Sequence, residues 1–186
     1  MYTKSLIKPP RLASFICEII AILFLFPQLL RADNQDDYMR GLQAYQRENL
    51  MVAIELLQRA ADNGHAKAQS MLGYIFDKAE ENEQAFHYYQ LAADQGDADG
   101  AYGLGNLYAA GEGVEKNLSQ AVGWYEKAAY NDHLLAIDVL ATAYLNGGLA
   151  LTKNTSKAID LLQRGAALGH LPSVRRLRKI RENEGI

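Results

Sequence analysis

Four histidines, two glycines spaced as in a phosphate loop and several acidic pairs are the residues of this 186-residue sequence that could do chemistry. His65, His133 and His170 could bind a metal or carry a proton, but each directly follows a pair that reads as a helix stop, Asn63-Gly64, Asn131-Asp132 and Leu168-Gly169. Their plain reading is a polar turn residue. His87 falls beside Tyr88 on the polar side of a helix. The one cysteine, Cys17, lies in the N-terminal apolar stretch, and no His-x-x-x-His pair occurs, so the sequence offers no set of metal ligands. Gly111-x-Gly113 has Lys116 where a dinucleotide loop needs its third glycine, and it follows a helical pattern instead of a strand. No serine sits in a Gly-x-Ser-x-Gly setting. Glu80-Glu81 and Asp97/Asp99 read as solvated faces of an acidic chain. We therefore expect no catalytic residue, no metal and no cofactor.

The elements that hold these residues begin after a distinct N-terminal segment. Residues 1–32 combine Lys4, Lys8 and Arg11, an apolar core Ile19–Phe26, a helix-breaking Pro27 and a terminal Leu30-Arg31-Ala32. A basic start, a short apolar middle and a small residue at the end are the parts of a secretory signal peptide. The widest apolar window contains Glu18, Pro27 and Gln28, which disfavours a spanning helix. The reading favoured is a cleaved signal and a periplasmic or secreted product, the alternative an uncleaved inner-membrane anchor; membrane contact is expected only in that second case. Without residues 1–32 the formal charge moves from −3 to −6, made of a −9 body (33–170) and a +3 tip (171–186). An acidic exported body argues against nucleic acid.

The body repeats. Ala53-IELLQRAADNGH, Ala85-FHYYQLAADQGD, Ala121-VGWYEKAAYNDH and Ala158-IDLLQRGAALGH align without gaps, 32, 36 and 37 residues apart, and Leu72, Leu104, Leu140 and Leu177 each follow eight positions after the closing turn residue. Within a unit the apolar spacing is helical: Ala121, Trp124, Tyr125, Ala128 and Ala129 make one stripe. Gly64, Gly96 and Gly169 suit a left-handed helix end; Asp132 suits it less, which predicts a looser third turn. Ordering 36 residues costs on the order of 50 kcal/mol, and offsetting that takes about 2,000 Å² of apolar burial. One helix pair cannot supply so much, so the units must stack.

At residues 101–132 the pattern becomes specific: Leu104-Gly105, Leu107-Tyr108, Gly111-Glu-Gly-Val114 and Ala121…Trp124-Tyr125…Ala128-Ala129 resemble the Sel1-like repeat, a relative of the tetratricopeptide repeat. The flanking units depart from it in their loops, Asp77-KAEEN and Asn146-Gly-Gly-Leu149. The resemblance implies an all-α, right-handed α/α superhelix of four helix pairs, about 36–64, 66–96, 98–132 and 134–169, closed by a capping helix over 171–183, with 33–186 as one repeat domain. It also implies that the first helix of each pair lines a concave face. Counting from the turn residues, that face carries Lys67, Ser70, Tyr74 and Asp77, then Asp99, Tyr102, Asn106 and Ala109, then Leu135, Asp138, Thr142 and Leu145.

Such a mixture of aromatics, amides and carboxylates suits an extended peptide or a protein loop. Tyr74 and Tyr102 are the tyrosines expected to face out of the core. On the last helix, Leu171, Val174, Leu177 and Ile180 are expected to pack on the stack, and Arg175, Arg176, Arg178 and Lys179 to face water, as a solubilising cap or a docking patch for an acidic partner or anionic lipid. The function expected is a non-enzymatic adaptor in the periplasm that binds an envelope protein; the alternative is an immunity protein that neutralises a toxic effector such as a secreted lipase.

Overall fold

The computed structural model describes residues 34–184; the expected signal segment, with Cys17, lies outside them. Among the described residues all regular structure is helical, in nine helices: α1 (34–46), α2 (Leu50–Asp62), α3 (Ala66–Lys78), α4 (Asn82–Asp94), α5 (Ala98–Ala110), α6 (Leu118–Tyr130), α7 (Leu134–Asn146), α8 (Thr155–Ala167) and α9 (Leu171–Glu184). From α2 onward each helix packs on its neighbour in sequence, and α3 also touches α5. The odd-numbered helices form one layer and the even-numbered helices the other.

Alanines set the spacing between the layers. Ala53, Ala85, Ala121 and Ala158 have no exposed surface, and Ala60, Ala92 and Ala128 follow two turns later, equally buried. Between them sits one large buried residue per repeat, Leu57, Tyr89, Tyr125 or Leu162, and the first three pack against the first helix of the next unit. Side chains cap helix starts in both layers, though not those of α2 and α4. Asn117 and Asn154 accept from the third backbone N–H beyond them, at 3.0 Å each, and so does Asp97 at 2.9 Å.

The third turn is not looser than the others. Asp132 takes the left-handed conformation (φ 63°) that Gly64, Gly96 and Gly169 take, with the same backbone bonds, its N–H to Ala129 and that of His133 to Ala128. Asp is among the few residues that tolerate this region. Arg164 holds it from the next repeat, with Nη2 2.6 Å from the Asp132 carboxylate and 2.6 Å from the Tyr130 carbonyl.

Gly123 has no such reason to be glycine. It lies mid-helix in α6, and a Cβ built there meets nothing within 4 Å. Gly123→Ala is expected to raise stability by about 0.5–1 kcal/mol through the lost freedom of the unfolded chain; a thermal or urea melt reads it directly.

Candidate functional site

The side chains of His65, Asp97 and His133 cap the starts of α3, α5 and α7, and His170 stands at the same position before α9. His65 and His133 accept at Nδ1 from the N–H of Ala68 and Ala136, both at 3.2 Å, while Nδ1 of His170 lies 2.8 Å from the Ser173 hydroxyl. The imidazoles are thereby fixed relative to the groove. Nε2 of His65 carries the remaining hydrogen and donates to Gln35 at 3.1 Å, and its ring stacks on Tyr38. His133 repeats the arrangement two repeats on: Nε2 stands 3.2 Å from Asp99 and the ring stacks on Tyr102, centroids 4.4 Å apart. Among the described residues no three His, Cys, Asp or Glu side chains converge as a metal site would require.

The groove opens between these caps. A recess of about 500 Å³ crosses the odd-numbered layer from Tyr38 on α1 to Leu135 on α7, lined by Lys67, Ser70, Tyr74, Asp77, Asp99, Tyr102 and Asn106. A second recess, about 470 Å³, shares Tyr102 and Leu135 and continues along Asp138 and Thr142. Ten of the twelve residues expected on the concave face thus border one continuous trough, and Ala109 and Leu145 do not line it. Ser70 departs from the expectation in one respect: it is buried, 5% exposed, with its hydroxyl turned back to the Lys67 carbonyl at 3.2 Å, so it forms floor instead of contact surface. Tyr74, 40% exposed, stands edge-on to Tyr45, and the Lys78 ammonium lies 5.6 Å from its ring.

Residues that were not expected on this face complete it. Tyr89 of α4 reaches through the odd-numbered layer, the inner one that carries the trough, between Gly73 and Gly103 to line the recess. Its repeat equivalent, Tyr125, passes over Gly105 and donates its hydroxyl to Asn106 Oδ1 at 2.8 Å. Burial, with Tyr102 nearby, pushes the Tyr125 hydroxyl up to about 12, so it remains a donor at any physiological pH. With its oxygen so occupied, Asn106 has its NH₂ to offer a carbonyl in the groove. The alignment Leu57/Tyr89/Tyr125/Leu162 contained the signal, since only the middle two repeats place a polar tip on that buried residue.

Charge in the trough is mixed. The Asp99 carboxyl lies below the usual range, chiefly because His133 hydrogen-bonds to it. Asp77 lies above it, through burial and then the nearby Glu112, so its charge is poorly compensated. Beyond α7, Arg176 departs from the expectation that every base of the last helix faces water. It crosses from α9 into the trough, 3.1 Å from Asp138 Oδ1 and 2.7 Å from the Thr142 hydroxyl, and closes that end. Arg175, Arg178 and Lys179 are not drawn in with it. Leu171 and Val174 also depart: they are 66% and 36% exposed instead of packed.

The Sel1 repeat profile matches residues 38–65, 66–97, 98–133 and 135–170, four units in the register of the helix pairs. The chain belongs to the Sel1 repeat family. Sel1 repeat proteins generally mediate protein–protein interaction and are typically non-enzymatic scaffolds. The crystal structure of a Sel1 repeat protein from Oxalobacter formigenes superposes with a TM-score of 0.68 at 30% identity, over 75% of this chain and 59% of that one. A protective antigen present in uropathogenic Escherichia coli strains, displaying an SLR fold, gives 0.72 at 25% identity over 83% and 34%. In sequence, the chain is 42% identical over 79 residues to DAP3-binding cell death enhancer 1 of Rattus norvegicus, and 33% identical over 112 residues to chitin synthase regulatory factor 3 of Schizosaccharomyces pombe. These matches cover 41% and 60% of this chain but only 16% and 12% of those proteins.

The His65 cap makes the Sel1 stack sensitive to acid. Burial holds the His65 imidazole below its ordinary value, and a protonated Nδ1 can no longer accept from Ala68. A folded pKa below the unfolded one contributes stability that is present above about pH 6.5 and lost as pH falls through the folded value. His65→Asn keeps a capping oxygen without titrating, so its melting temperature should fall less than that of the wild type between about pH 7 and pH 5.

Proposed function

We propose that the protein is an exported adaptor that holds another protein or an extended peptide in the trough of its inner layer and acts by occupancy, without chemistry. One observation carries this reading. Three successive first helices present tyrosine, amide and carboxylate side chains to a common trough, and the buried residues behind it fix their orientation instead of covering them. Rigid tyrosines beside oriented polar groups supply anchoring at low entropic cost. The relatives named for binding DAP3 or regulating chitin synthase are proteins described by their partners, which supports a partner-binding role.

Export rests on the signal pattern of residues 1–32, and periplasmic or secreted placement follows from it. Mass measurement of the mature N-terminus tests this: a start near Asp33 is expected, and a product retaining Ile19–Phe26 means an anchor. The binding role is tested by affinity capture from an envelope fraction with wild type and with Tyr74→Ala/Tyr102→Ala. An envelope component in the wild-type eluate supports the adaptor; a secreted lipase there supports the immunity role. Equal retention of the partner by both forms contradicts the trough as the binding site.

A further inference from the structure

The first turn of α2 is unlike its counterparts. Leu50, Met51 and Val52 are 47%, 85% and 39% exposed, whereas the gapless register places Asn82-Glu83-Gln84, Leu118-Ser119-Gln120 and Thr155-Ser156-Lys157 at the same positions. In the later repeats the loop after each first helix folds back over this region. Gly113 lies so close to Asn82 that a Cβ there would be 2.8 Å from its carbonyl oxygen, and Leu149 and Leu151 pack on the core cluster around α6. The loop between α3 and α4 is only residues 79–81, and it leaves Leu50–Val52 bare. Exposed Glu48 and Glu55 flank the patch. The Tyr88–Gln58 hydrogen bond sets α4 alongside α2, which brings Glu80, Glu81 and Glu83 to the same edge. Arg47 and Lys78 are the opposing bases, so the patch is apolar with an acidic rim.

The other end of the stack is its complement. Leu177 holds the position of Leu72, Leu104 and Leu140, which are all at most 2% exposed, yet Leu177 is only half-buried because no second helix follows α9 among the described residues. In that place is a recess of about 420 Å³ between α8 and α9, lined by Ala166, Val174, Leu177, Arg178, Arg181 and Glu182. Its floor is apolar and its rim is mainly basic.

We infer that the protein associates head to tail with a second copy of itself: the α2 patch of one copy docks on the α8–α9 recess of the next. Met51, unbranched and almost fully exposed, enters the apolar floor. The glutamates around it meet Arg178 and Arg181, and the opposite charges of the two ends fix the polarity of the contact. Head and tail are different surfaces, so the interface is heterologous and each addition leaves a free end. The trough runs along the odd-numbered layer and borders this contact only at Lys78, which makes this inference independent of the function proposed above.

Sedimentation velocity of the purified protein, in the form the cell yields, tests it. At low salt the mass average is expected to rise from one copy to beyond two between about 1 µM and about 1 mM, the range of weak contacts, and to fall back in high salt. Met51→Glu and Arg178→Glu/Arg181→Glu should each remain single copies with unchanged circular dichroism. Mixed, they should form a one-to-one complex that grows no further, because one keeps its tail and the other its head. A wild type that stays single throughout, association that neither variant alters, or an α9 that binds anionic vesicles while the protein stays single would each overturn the proposal.

Discussion

Gly103→Ala is expected to lower the stability of the protein by about 1–3 kcal/mol, the range for overpacking a filled core. A Cβ at residue 103 would sit 2.5 Å from Cε1 and Cζ of Tyr89, and one at Gly73 would sit 2.5 Å from Cδ1 of the same ring. The ring is clamped between two glycine backbones on successive first helices, so neither side gives way. Tyr89 lines the trough, and burial raises its hydroxyl well above the ordinary value, which keeps it neutral. In a stack where each repeat touches only its neighbours, loosening this ring uncouples the second repeat from the third. The melting temperature should fall by roughly 2–4 °C per kcal/mol. Gly73→Ala/Gly103→Ala should cost less than the two single changes together, since both press on one ring. A Gly103→Ala protein that melts like the wild type would mean that the ring is not clamped.

The second large effect concerns binding. Tyr74 and Tyr102 stand on α3 and α5 at the middle of the trough, and neither contributes to the buried core clusters except at their edges. Truncating an interface tyrosine at such a centre typically costs about 2 kcal/mol or more, so Tyr74→Ala/Tyr102→Ala should weaken the captured partner roughly a thousandfold. The same change should lower the melting temperature only modestly, because Tyr74 is exposed and Tyr102 sits at the edge of the core, stacked on His133 and beside Tyr125. Titration of the captured partner by calorimetry, beside a thermal melt, separates the two quantities. Loss of affinity together with collapse of the fold would place Tyr102 in the core instead.

Much of this architecture is legible in the chain because each repeat solves the same packing problem with the same residues. The register of Ala53, Ala85, Ala121 and Ala158 announces the second helices, and the constant spacing from each turn residue places Leu72, Leu104 and Leu140 in the core. The turn residues mark the ends of the second helices, and even Asp132 obeys that position. What the sequence hides is contact between distant repeats. Arg176 looks like one more solvated base of a tip, and only folding shows that it reaches Asp138 and Thr142, 38 and 34 residues away. His133 looks like a turn residue, and is one, but capping α7 also swings its ring onto Tyr102. Tyr89 carries no mark of its own; its access to the trough depends on two glycines that lie 16 residues before it and 14 after it. The loop after α7 is likewise illegible, with Leu149 and Ala150 both in the left-handed region that such residues rarely enter.

The proposal that matters most for function is that the partner lies in the trough between the capped first helices. Site-specific photocrosslinking tests it most directly, with the crosslinking residue placed in turn at Asn106, inside the trough, and at Gly123, on the outer layer. Asn106 is expected to capture a single protein partner in intact cells, and Gly123 to capture none. Capture of the same partner from Gly123, with Asn106 silent, would contradict it.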